Sequence, residues 1–62
     1  MELNTVDYLK KALLDSQERV RDYMNYSREI DDKELQRYFK TYAEKEGEHA
    51  QKLQEYISAY TQ

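Results

Sequence analysis

No cysteine, proline or tryptophan occurs in this chain of 62 residues, and glycine and histidine occur once each, as Gly47 and His49. Without cysteine there is no disulfide framework and no thiolate metal site, a composition compatible with the cytosol, where the chain is expected to reside. Without proline, and with one glycine, almost nothing interrupts a helix. No apolar run approaches the roughly 18 residues that cross a bilayer, and the start lacks the charged-then-apolar pattern of a secretory signal. A net charge of −3 with both signs interleaved provides no basic patch, so neither membrane nor nucleic acid is an expected partner. There is no glycine-rich phosphate loop, and no serine with a His–Asp relay on a scaffold able to form an oxyanion hole.

What remains is 39% hydrophobic and 37% charged, with seven tyrosines and one phenylalanine. Disordered chains of such charge lack aromatics and lack an apolar period. Both are present here. The length allows one domain, residues 1–62, too small to bury a large core alone.

After a short start at Met1 to Asn4, Asn4 or Thr5 is placed to cap a first helix, with Asp7 in its opening turn. Val6, Leu9, Leu13, Ser16, Val20, Tyr23, Ser27 and Ile30 then recur at three- and four-residue steps, an apolar stripe of a helix over about residues 5–29. Asp7–Lys11 and Asp15–Arg19 have the i,i+4 spacing of surface ion pairs. A turn is expected at about 30–32, because Asp31 with Glu34 forms a capping-box-like start for a second helix over about 32–60. The competing reading is one unbroken helix in a parallel coiled coil. The second stripe reads Leu35, Phe39, Tyr42, Leu53, Tyr56 and Tyr60, and its alternation closes only if Glu46 and His49 complete it. An all-α antiparallel hairpin is expected, and because one hairpin leaves half of each stripe wet, two are expected to pair as a homodimeric four-helix bundle.

The carboxylate and the single imidazole thus fall three residues apart on an inward face, the spacing of a Glu-x-x-His pair of bundle metal sites. At a turn centred near residue 31, Glu46 lies level with Ser16, near Leu13 and Gln17. The run Leu35-x-x-Tyr38-Phe39, Ala43-Glu44-Lys45-Glu46-Gly47-Glu48-His49-Ala50 and Leu53 resembles the second helix of ferritin-like di-iron proteins, above all rubrerythrins and short encapsulated ferritins. Asp15-Ser-Gln-Glu-Arg19 is similar to the Glu-Ser-Gln-Ala-Arg run of the rubrerythrin first helix. The resemblance implies a ferritin-like bundle, Glu46 and His49 as metal ligands from both subunits, and iron-linked oxidoreductase or ferroxidase chemistry. The family's first-helix acid has no clean counterpart: Ser16, Asp15 and Glu18 each take its place under different alignments. With two Glu and two His per dimer, iron, zinc and manganese are all admissible. The alternative is a metal-free homodimeric interaction module in which Glu46 and His49 set the register. Gly47, beside the pair, is either a tolerated surface glycine or a point of local helix distortion. Tyr42, one turn from Glu46, is expected inward, and Tyr8 and Tyr26 on a neighbouring face that extends an interaction surface.

Overall fold

In the computed structural model, which describes residues 4–61, the chain is all-helical and folds back once as a hairpin. Helix α1 covers Thr5–Glu29 and helix α2 covers Lys33–Thr61, with no strand among the described residues. The hairpin is a slab 44 × 23 × 11 Å in Cα extent, one helix thick. Neither helix is long and apolar enough to cross a membrane. Residues Met1 to Leu3 of the expected short start, and Gln62, lie outside the described residues.

Local chemistry sets the helix ends. Asn4 caps α1: its side chain accepts from the Asp7 amide at 2.9 Å, and the Asp7 carboxylate accepts from the Asn4 amide at 3.3 Å. This reciprocal box satisfies two amides that a helix start otherwise leaves open. It also uses Asp7, which does not pair with Lys11. The α1 end needs no glycine, because Ile30 adopts an extended conformation (φ −82°, ψ 132°) while its amide still donates to the Tyr26 carbonyl at 3.0 Å.

Helix α2 is capped by Asp32, not by Asp31 as its spacing from Glu34 suggests. One Asp32 carboxylate oxygen accepts from the Glu34 and Leu35 amides at 2.9 and 3.1 Å. The cap therefore stands one residue later than expected, and Gln36 reaches back to donate to the Ile30 carbonyl and tie the turn to α2. These contacts make the residue 30–32 turn a defined break, and the unbroken-helix reading falls.

The inward stripe of α1 follows the expected positions: Val6, Leu9, Leu13, Val20, Tyr23, Ser27 and Ile30 are half-buried and Ser16 is fully buried. The stripe of α2 is rotated from the expected one. Its inward positions are Gln36, Phe39, Ala43, Glu46, Ala50, Leu53 and Ile57, at regular three- and four-residue steps. Leu35, Tyr42, Tyr56, Tyr60 and His49 are exposed instead. The physical reason is size. Among the described residues the two buried ones are Ser16 and Ala43, at 2% and 3% exposure, so α1 lies against the small-residue edge of α2 and the bulky residues are left on its flank.

Gly47 sits in an uninterrupted α-helix without positive φ, so no local distortion accompanies it. A Cβ added there meets nothing within 4 Å. Glycine costs about 1 kcal/mol relative to alanine inside a helix. A Gly47→Ala variant is therefore expected to be more stable by about that amount, a rise of roughly 4–8 °C in melting temperature for a chain this small. Thermal unfolding by circular dichroism measures it, and a lower melting temperature would mean that the residue's freedom is used.

Candidate functional site

Glu46 lies at the middle of the α1–α2 seam with its side chain 14% exposed. Its Oε2 is 3.2 Å from Arg19 Nε of α1. Oε2 is also shielded from water, and the Arg19 contact lacks hydrogen-bond alignment, which makes this an ion pair rather than a directed hydrogen bond. Arg19 further places Nη2 3.5 Å from the buried Ser16 hydroxyl. Ser16, Arg19 and Glu46 thus form a small polar cluster across the seam, beside the buried Ala43.

His49 stands beside it. Its Nδ1 is 3.7 Å from Glu46 Oε1, too long for a hydrogen bond, and its side chain is 67% exposed. The expectation that the imidazole occupies a core position is therefore corrected: it lies on the flank of α2, where the rotation of the helix carries it. A shallow groove runs between Ala12, Ser16 and Arg19 of α1 and His49, Leu53 and Tyr56 of α2.

The first-helix candidates for a third ligand point elsewhere. Asp15 pairs with Lys11 at 3.3 Å, not with Arg19, and Glu18 is exposed. Ser16 occupies the seam opposite the pair but is a weak metal donor when protonated. Among the described residues no three His, Cys, Asp or Glu side chains converge to share an ion. An iron or zinc ion takes four or more ligands. One hairpin offers two, and a guanidinium already neutralises one of the carboxylate oxygens. The residues of a single chain do not fit the metal centre that the resemblance implies.

Arg19 is the functional residue that sequence reasoning missed. Its i,i+4 spacing from Asp15 assigned it to the solvent surface, and only the seam between helices brings it to Glu46. Lys52 pairs with Glu55 at 3.5 Å and lies 5.2 Å over the Tyr56 ring.

Toward the turn, aromatic rings gather. Tyr23 contacts Phe39 and Tyr42 at centroid distances of 5.8 and 5.5 Å, and Tyr26 meets Phe39 edge-on at 5.5 Å. Tyr38 stands at 87° to Tyr42 with centroids 4.8 Å apart. The hydroxyl of Tyr42 beside it pushes the Tyr38 phenol above its ordinary pKa of 10.0. Such tilted ring pairs add to simple burial. Tyr42 is therefore engaged with tyrosines rather than with Glu46.

No protein-family model matches the chain, and no curated protein or solved structure is detectably similar to it.

Proposed function

We propose that this chain is a self-associating structural module: a metal-free homodimer of hairpins that closes a four-helix bundle, with the Arg19–Glu46 pair fixing register at its centre. The observation that carries this reading is the missing core. Ala43 is the single buried apolar residue of the described chain, no large side chain is fully buried, and large apolar side chains from Tyr8 to Tyr60 remain exposed. A compact chain of 7.6 kDa exposes about 4,300 Å², whereas this one exposes 5233 Å². The excess, roughly 900 Å², is about what one partner contributes to a standard interface. The buried carboxylate with its inter-helix cation has the character of the core polar groups that select one alignment among several apolar ones.

A second reading rests on the Glu46–His49 contact and the open position of His49. Across a dimer two such pairs supply four donors, and the resemblance to ferritin-like proteins favours iron, with zinc and manganese as alternatives. In that case an incoming ion competes with Arg19 for Glu46. No catalytic step is assigned to the chain, and no membrane or nucleic-acid role is proposed for it; a cytoplasmic site of action is expected.

The two readings separate in one experiment: thermal unfolding at several protein concentrations, with chelator, with Fe(II) and with Zn(II). The metal-free module predicts a melting temperature that rises with protein concentration and is indifferent to metal. A melting temperature independent of concentration would remove the dimer. Stabilisation by either ion that is lost in a Glu46→Ala, His49→Ala variant would replace the first reading by the second.

A further inference from the structure

The tyrosines are not spread around the hairpin. On α2, Tyr38, Tyr42, Tyr56 and Tyr60 fall with His49 within about 40° of the helix circumference at 100° per residue. On α1, Tyr8, Tyr23 and Tyr26 fall within about 60° by the same measure. The two arcs lie on the same side of the slab. Tyr23 packs on Tyr42, and the groove that joins Ala12 and Arg19 to His49 and Tyr56 opens on that side. The opposite side carries a polar groove lined by Ser27, Gln36, Arg37 and Lys40. The six exposed tyrosines therefore share one face, and Tyr23, half-buried in the seam, packs beneath it.

The tyrosines along α2 on this face have a further property: they are placed symmetrically about His49. Tyr42 and Tyr56 stand seven residues to either side, and Tyr38 and Tyr60 stand eleven. In an isologous contact each residue meets its mirror in sequence about the two-fold axis. A helix whose tyrosines are symmetric about one position can pair them ring on ring with an antiparallel copy of itself centred there. Ala12, near the same level on α1, leaves room for the copies to approach. The charge on the turn agrees with this sense. Residues 28–34 hold Glu29, Asp31, Asp32 and Glu34 against Arg28 and Lys33, a net −2. Stacking turn on turn would double that charge at one end, whereas an antiparallel pair keeps the two turns at opposite ends.

We propose that the tyrosine face is the dimer interface, and that its two-fold axis runs across the helices at His49. Helix α2 of each copy then lies antiparallel to α2 of the other, Tyr42 of one copy against Tyr56 of the other and Tyr38 against Tyr60. The partner is a second copy of this chain. The area available, a slab face of roughly 1,000 Å², suffices for the interface of a stable dimer. This inference rests on the dimer reading above and adds its face and direction.

Spin labels placed on single introduced cysteines test it, since the chain has no other thiol. Lys33→Cys marks the turn and Lys52→Cys lies three residues from the axis. Dipolar electron spin resonance on each labelled protein should give roughly 50 Å between the turn labels, from 1.5 Å per residue on both sides of His49. The Lys52 labels should be close, roughly 20 Å, as across two packed helices. Turn labels within about 25 Å would overturn the antiparallel sense while leaving the dimer intact. Lys52 labels beyond about 35 Å would overturn the choice of face, since they would then lie on opposite outer surfaces of the bundle. No dipolar coupling at either site would take down the dimer reading itself.

Discussion

Replacing Tyr42 by glutamate is expected to weaken self-association by at least about 100-fold, close to 3 kcal/mol, and to unfold much of the hairpin at micromolar concentration. Two losses combine. Within the chain, Tyr42 holds the ring contacts to Tyr23 and Tyr38 that gather the turn end of the aromatic face. Across the interface, a carboxylate replaces the ring that meets Tyr56 of the other copy and must shed water to enter that contact, and it stands one helical turn from Glu46, where like charges repel. The comparison that isolates the face is Leu14→Glu. Leu14 is more exposed than Tyr42, 61% against 42%, so exposure alone predicts that it matters as much or more. It projects away from the tyrosine arc, and its replacement is expected to change stability by no more than about 0.5 kcal/mol. Equal effects of the two substitutions, read by circular dichroism and by sedimentation, would contradict an interface confined to one face.

The second large effect belongs to the seam. Arg19→Ala leaves the Glu46 carboxylate shielded from water without its cation, and a loss of about 1–3 kcal/mol is expected. Because Arg19 is 45% exposed, the pair itself is screened and its net contribution is smaller than that penalty. A double variant, Arg19→Met with Glu46→Leu, removes both charges and adds apolar packing. It should recover the wild-type melting temperature or exceed it. The same variant should associate less selectively, giving a broader distribution of masses, if the pair sets register. If the double variant is as unstable as Arg19→Ala, then Glu46 is needed for something other than its partner. A cation held across the dimer would be the first alternative to examine.

The helical hairpin was legible in the sequence because its signals were local. An absence of breakers, a cap at Asn4, two adjacent aspartates and a clean α1 stripe each act over a few residues. The turn stands at 30–32 as expected, but its capping residue was misplaced by one position because Asp31 and Asp32 offer equivalent side chains, and which one bonds the next amides depends on the path of the chain. The stripe of α2 was less legible for a different reason. Four tyrosines and Leu35 on its flank outweigh Ala43 and Ala50 on any hydrophobicity count, yet close packing of two helices favours the small residues. The signal was available as Gln36, Ala43, Ala50 and Ile57, a seven-residue repeat hidden beneath the larger one. The displaced tyrosines are then not a failed core stripe. In the proposed dimer they form a second one, aimed at the other copy.

Of the candidate site, Glu46 was found where the spacing placed it, half-buried on the seam, and His49 was not. The difference follows from the same rotation, which keeps Glu46 at the edge of the buried arc and carries His49 out of it. Arg19 had no signal in one dimension beyond its charge, since a cross-helix pair depends on the register of two segments 27 residues apart. Its presence changes the chemistry expected of the Glu-x-x-His spacing, because the carboxylate already has its counter-charge.

Sedimentation equilibrium of the chelator-treated protein distinguishes a metal-free dimer from every alternative considered above. A single species of twice the 7.6 kDa chain mass is expected, helical and folded with no metal present. A folded monomer under those conditions, or a dimer that assembles only when iron or zinc is restored, would contradict it.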